Sequence, residues 1–167
     1  MTDTRTVTCA CGRVELVTQG AAILCAACYC DDCQEAARRI EALPGAKAVK
    51  GPDGGTECLV YRKDRVRYTR GAELLQCQKL RERSPTNRWV AGCCNSAMSM
   101  NFDDSKHWVN VYRARLTGEK PPLEMRICTR FKPEGAILPT DAPQYPGYPF
   151  QFIARLIGAK FSMMLGR

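Results

Sequence analysis

Three cysteines within six residues, Cys28-x-Cys30-x-x-Cys33, constrain this chain more than any other feature. Sulfurs crowded this closely either pair as disulfides or converge on a metal. The chain carries 11 cysteines, an odd number that pairing cannot consume. Met1 to Cys9 is polar and short of apolar residues, so no secretory signal peptide and a cytoplasmic location are expected. In a reducing compartment, closely spaced cysteines act as metal ligands or redox groups more often than as bridges. With His107 the only histidine, a metal here is expected to be held by sulfur.

The 167 residues suit one domain with a core of its own. Apolar residues make up 45% and charged residues 25%, the balance of an ordinary globular protein, and no 18-residue apolar run offers a membrane span. The formal charge of +8 is spread along the chain. Each zinc bound by three or four thiolates would offset it by roughly one or two units. Neither a glycine-rich aromatic RNA platform nor a DNA-reading helix is present, so nucleic acid is not an expected partner.

The periodicity predicts a mainly β fold with one short helix and a C-terminal helix. Short strands are expected at Val7-Thr8, Arg13 to Val17 and Ala21 to Ala27. Further strands are expected at Leu74 to Lys79, Asn87 to Cys93 and Trp108 to Tyr112. Glu57 to Arg62 and Arg65 to Arg70, separated by Lys63-Asp64, read as a hairpin. Asp31-Asp32 offers an N-cap for a helix over Gln34 to Leu43, ended by Pro44-Gly45. The expected organisation is a zinc-binding β domain over residues 1–132, a proline- and glycine-rich loop over 133–149, and an amphipathic helix over 150–167. Ile153, Leu156, Ile157, Phe161, Met164 and Leu165 form the apolar stripe of that helix, which packs on the core, on a second copy in a homodimer, or on a membrane surface. The membrane is the least expected of the three.

Zinc takes four ligands in a tetrahedron, so its donors must converge from separate segments. Cys9-x-Cys11-Gly12 supplies two from one turn, with Gly12 letting the backbone curl past the metal. Cys94, with or without Cys93, is the expected distant donor to this structural site. Cys28, Cys30 and Cys33 leave one position for water, substrate or a further cysteine, and an open position is the mark of a catalytic zinc. Cys93 is free to join either group. Cys25 could serve as a fourth ligand but is expected to be a buried strand residue, Cys58, Cys77 and Cys128 packing residues, and His107 a structural residue.

At these residues the sequence resembles the glutathione-dependent formaldehyde-activating enzyme and centromere protein V family. Cys9, Cys11, Gly12 and Val14 fit its opening Cys-x-Cys-Gly-x-Val, and Cys28, Cys30 and Cys33 fit its Cys-His-Cys-x-x-Cys. Cys94-Asn95-Ser96 fits part of its Cys-x-x-Cys-Gly-Ser, and the likeness is strongest to a bacterial branch with Cys-Tyr-Cys-Asp-Asp-Cys. The resemblance implies a β-tent fold with two zinc positions, structural at Cys9, Cys11 and Cys94 and catalytic at Cys28, Cys30 and Cys33. It implies carbon–sulfur lyase chemistry on adducts of glutathione, or another small thiol, with an aldehyde. Tyr29 stands where the family has histidine, and Ala91 where it has a cysteine. Arg62 and Arg88 are among the basic residues able to meet the carboxylates of glutathione, and nothing in the sequence selects either. The alternative function is a non-catalytic, zinc-stabilised interaction module.

Overall fold

The computed structural model describes residues 3–166. The fold is mainly β, in two sheets, with one short helix and one C-terminal helix, as expected. In chain order the elements are β1 (Thr4–Thr8), β2 (Glu15–Gln19), β3 (Leu24–Cys28), α1 (Asp31–Glu41), β4 (Thr56–Arg62) and β5 (Val66–Arg70). There follow β6 (Leu75–Gln78), β7 (Thr86–Ala91), β8 (Ser96–Phe102), β9 (Trp108–Tyr112), β10 (Met125–Ile127) and α2 (Phe150–Met164). The small sheet runs β1-β2-β5, and the large one runs β10-β3-β4-β9-β8-β7-β6. All pairings are antiparallel except that of β10 with β3.

Side chains alternate across a strand, and β4 shows how the layers follow from that. Leu59 and Tyr61 point into a core shared with Val7, Val14 and Leu16 of the small-sheet side and with Met98 and Val111 of the large sheet. Val60 packs with Phe152 and Leu156 of α2, and Cys58 packs with Ala37 and Ile40 of α1. One face of the large sheet thus holds the small sheet, and the other carries both helices. A strand covered on both faces should be almost continuously apolar, and the Cys-Leu-Val-Tyr run over residues 58–61 is.

Three expectations are corrected. Residues 57–62 and 65–70 do not pair as a hairpin: β4 pairs with β3 and β9, while β5 pairs with β2. A short 3-10 turn at Lys63–Arg65 carries the chain from one sheet to the other instead. The first helix begins at Asp31, three residues early, which places Cys33 in its first turn and Cys30 at its N-cap. In α2 only Phe152 and Leu156 are buried, and Ile153, Ile157, Phe161, Met164 and Leu165 are exposed, so most of the predicted stripe faces away from the core. No helix among the described residues is long and apolar enough to cross a membrane.

The candidate metal centres and their cavity

The first group of sulfurs is built at the junction of the two sheets. The turn after β1 carries Cys9 and Cys11 and is closed by the Gly12 N–H bonding the Cys9 carbonyl at 3.0 Å. Gly12 has φ of 76°, a value that any side chain would strain, so glycine is needed for the curl. The turn between β7 and β8 carries Cys93 and Cys94. Adjacent strand residues diverge, but here the Cys94 N–H bonds the Ala91 carbonyl at 3.1 Å, and Asn95 is left-handed at φ of 53°. That turn swings both thiols to one side.

Cys9, Cys11, Cys93 and Cys94 have all their sulfurs within 4.8 Å of one another. Four of the separations are 3.6 Å (Cys9–Cys11), 3.8 Å (Cys9–Cys93), 3.3 Å (Cys11–Cys93) and 3.9 Å (Cys93–Cys94). A regular tetrahedron with metal–sulfur bonds near 2.3 Å has edges of about 3.8 Å, so this cage already has the dimensions of a four-thiolate metal site. The Val14 N–H reaches the Cys9 sulfur at 3.2 Å, and a backbone bond from Arg13, then its side chain, helps draw the Cys11 thiol down to about 6. The Ser96 hydroxyl braces the cage, meeting the Cys94 sulfur at 3.2 Å and the Ala10 N–H at 3.0 Å. Cys93 therefore stands with Cys9, Cys11 and Cys94.

The second group comes from the end of β3 and the start of α1. Cys28, Cys30 and Cys33 place their sulfurs within 4.8 Å of one another. The partial positive charge at a helix N-terminus favours thiolates here. Interaction with Cys28, then Cys33, pulls the Cys30 thiol down to about 3, while Cys28 is pushed up, most by the neighbouring Cys128 sulfur and then by those of Cys30 and Cys33. A metal ion that displaced these protons would find three converging donors.

Cys128 was expected to be a packing residue. Instead the parallel pairing of Ile127 with Cys28 sets it next to the group, close enough for Cys28 to draw the Cys128 thiol down. It lies outside the set of mutually close sulfurs. Its backbone is left-handed at φ of 59°, a costly state for a residue with a side chain. Nothing in the sequence signalled this approach, because β10 is only three residues long.

The remaining cysteines sort by strand parity. Cys25 lies an odd number of residues from Cys28, faces the inter-sheet core and is raised to about 12 by burial. Cys58 is buried, and Cys77, expected to be packed, is exposed on β6. His107 is structural as expected: buried, its Nε2–H donates to the Leu156 carbonyl at 2.8 Å and ties α2 to the start of β9. Tyr29, between Cys28 and Cys30, points away from the sulfur group. It is fully buried, donates to Asp53 at 2.7 Å and accepts from Arg126, which also pairs with Asp53 and with Asp141 at 2.9 Å. A Cβ on Gly55 would meet the Tyr29 ring at 2.7 Å, so the tyrosine needs a glycine beside it.

The two groups differ in what faces them. Cys28, Cys30 and Cys33 lie on the wall of a cavity of about 370 Å³ between α1, α2 and the outer face of the large sheet. Its floor includes a row of directly opposed residues across four strands: Val60, Asn110, Met100 and Arg88. Trp108, Phe152 and Leu156 form its apolar end. Cys9, Cys11, Cys93 and Cys94 do not line this cavity.

No family model matches the chain, and no curated protein matches it. Among solved structures, a Rhodobacter sphaeroides protein is similar to it at 22% identity and a TM-score of 0.49. That similarity covers 70% of this chain and 91% of the other.

Proposed function

We propose that both groups bind zinc and that the protein is a zinc-dependent enzyme, a carbon–sulfur lyase acting on thiol–aldehyde adducts. The observation that carries this reading is the contrast between the centres. The cage of Cys9, Cys11, Cys93 and Cys94 supplies all four donors and joins the end of β1 to the β7–β8 turn, which is structural work. The group of Cys28, Cys30 and Cys33 supplies three donors and opens onto a cavity large enough for a small organic molecule. The motif resemblance to the formaldehyde-activating family agrees with that division. A zinc ion in the second group would stabilise a substrate thiolate or polarise an aldehyde oxygen.

The reaction this fits is the interconversion of a hemithioacetal with its thiol and aldehyde. The carbon–sulfur bond breaks with its electron pair going to sulfur, the carbonyl forms from the hydroxyl, and the hydroxyl's proton ends on that sulfur to give the thiol. No oxidant or co-reactant is consumed. The chain's residues confine the substrate and shield it from water, while Asp32 and Tyr148 bring protonatable groups to the cavity wall. Tyr29, held by Asp53 and Arg126, takes no part in proton transfer.

A second reading has an observation of its own. The approach of Cys128 to Cys28 suits a fourth sulfur donor, and a four-sulfur second site fits a non-catalytic zinc module. One experiment separates the two. Zinc content and the rate of thiol–formaldehyde exchange, followed by exchange NMR, are measured for the protein and for Cys30→Ser. The enzyme reading expects zinc to fall by about one per chain in the variant and exchange to return to the uncatalysed rate. Zinc-loaded protein that does not accelerate exchange refutes it.

A further inference from the structure

Five buried side-chain atoms among the described residues have no hydrogen-bond partner, and three of them, Thr56 Oγ1, Arg88 Nη1 and Asn110 Oδ1, belong to residues lining the cavity beside Cys28, Cys30 and Cys33. Leaving such a group buried and unpaired costs about 1–3 kcal/mol, and more when it is charged. Their concentration around one space is what a binding site looks like without its ligand.

Arg88 is the most demanding of the three. It is 3% exposed and sits on the central part of β7 in the floor row. One terminal nitrogen, Nη2, reaches the Asp32 carbonyl oxygen at 3.5 Å, which places the guanidinium beside the start of α1 and hence beside Cys33. The other has nothing to bond. A guanidinium is always charged and presents its donors as a fork matched to a carboxylate. The other cations considered from the sequence or lining the cavity are paired: Arg62 is held by Asp64 at 2.5 Å and Ser162 at 3.1 Å, and Lys106 by Asp104.

We infer that the cavity takes a small monocarboxylic acid with an apolar body, its carboxylate docked on Arg88 Nη1 at the cysteine end. Strands lie about 4.8 Å apart, so Arg88 and Asn110, two strands from each other in the row, are about 10 Å apart. Asn110 Oδ1 then accepts from a donor further along the ligand, as the hydroxyl of a thiol–aldehyde adduct would supply. Thr56, opposite Cys28 in the β3–β4 ladder, stands at the cysteine end. Beyond Asn110 the body lies against Trp108, Phe152 and Leu156. Glutathione, with two carboxylates and an ammonium, suits this space poorly, since Arg88 is the only buried cation lining it among the described residues. The assignment of this acid as the substrate's class rests on the lyase reading; the carboxylate site itself does not.

The test is calorimetric titration of zinc-loaded protein with 4-phenylbutyrate, with the matched neutral probe 4-phenylbutan-1-ol, and with glutathione. The acid is expected to bind at least about tenfold more tightly than the alcohol and than glutathione, the scale of one charge-assisted hydrogen bond in a buried site. Arg88→Met should remove the preference for acid over alcohol and leave alcohol binding in place. Should that variant misfold by circular dichroism, Asn110→Asp, which sets a carboxylate in the floor, should weaken the acid selectively. Equal binding of acid and alcohol, tighter binding of glutathione, or a preference that survives the substitution overturns the proposal. Zinc content measured on the same samples keeps the outcomes apart: acid preference without zinc in the second group sinks the lyase reading, and zinc without acid preference sinks this one.

Discussion

Tyr29 sits between two cysteines of the open group and yet serves the scaffold. Its hydroxyl closes a buried network with Asp53 and Arg126, and its ring is fully enclosed. Tyr29→Phe should therefore cost about 1–2 kcal/mol in urea denaturation, the worth of a hydrogen bond near charged groups, while leaving zinc content unchanged. A loss of metal would show that the hydroxyl reaches the centre. Cys128 is the converse case, a residue with no motif around it that the fold delivers to Cys28. With Cys128 outside the mutually close sulfurs, Cys128→Ala should keep full zinc stoichiometry by elemental analysis. Most of the candidate metal ligands were legible because short spacing between cysteines is local information. Cys128 was not, because only the parallel pairing of β10 with β3, about 100 residues apart, brings it there.

At the level of elements, propensity placed most strands but not their partners. Lys63-Asp64 does mark a turn, but nothing in those two residues says whether the flanking strands pair or part company, and here they join different sheets. The strand β8 reads Ser-Ala-Met-Ser-Met-Asn-Phe, with no β-branched residue, and was not expected at all; its strand state is imposed by β7 and β9 on either side. The second helix kept its start, ending at Met164 rather than running through 167, but not its buried face, since the stripe predicted the apolar side and packing chose Phe152 and Leu156. Leu156→Ala should cost about 2–4 kcal/mol and loosen α2, seen as faster proteolysis of residues 150–166.

The same helix is coupled to pH through His107. Burial lowers the pKa of His107 below its ordinary 6.5, so the folded chain resists a proton that the unfolded chain accepts. Its contribution to stability is complete above about pH 6.5 and is lost as pH falls through that value toward the folded pKa. The Cys11 thiol, at about 6, titrates in the same window, so the readout is the difference between variant and parent. The urea midpoint should fall less between about pH 7.5 and 5.5 in His107→Gln than in the parent. Identical pH slopes would contradict the assignment.

For the whole molecule, the two cysteine groups occupy different settings within one architecture. One ties the end of β1 to the β7–β8 turn at the edge of the inter-sheet core, and the other faces a cavity that the large sheet and both helices enclose. Sequence spacing revealed that sulfur would gather; it did not reveal the cavity, whose floor row is assembled from four strands spread over residues 56–112. Nor did it select Arg88 among 25 basic residues, a choice that depends on burial and on what its guanidinium lacks. The central claim, one closed centre and one open to the cavity, is tested most directly by cadmium-113 NMR of fully cadmium-loaded protein. The account predicts two resonances, one in the four-sulfur range that ignores added thiol, and one in the range of three sulfurs with oxygen that shifts when a small thiol is titrated. A single resonance, or two four-sulfur resonances both indifferent to thiol, would contradict it.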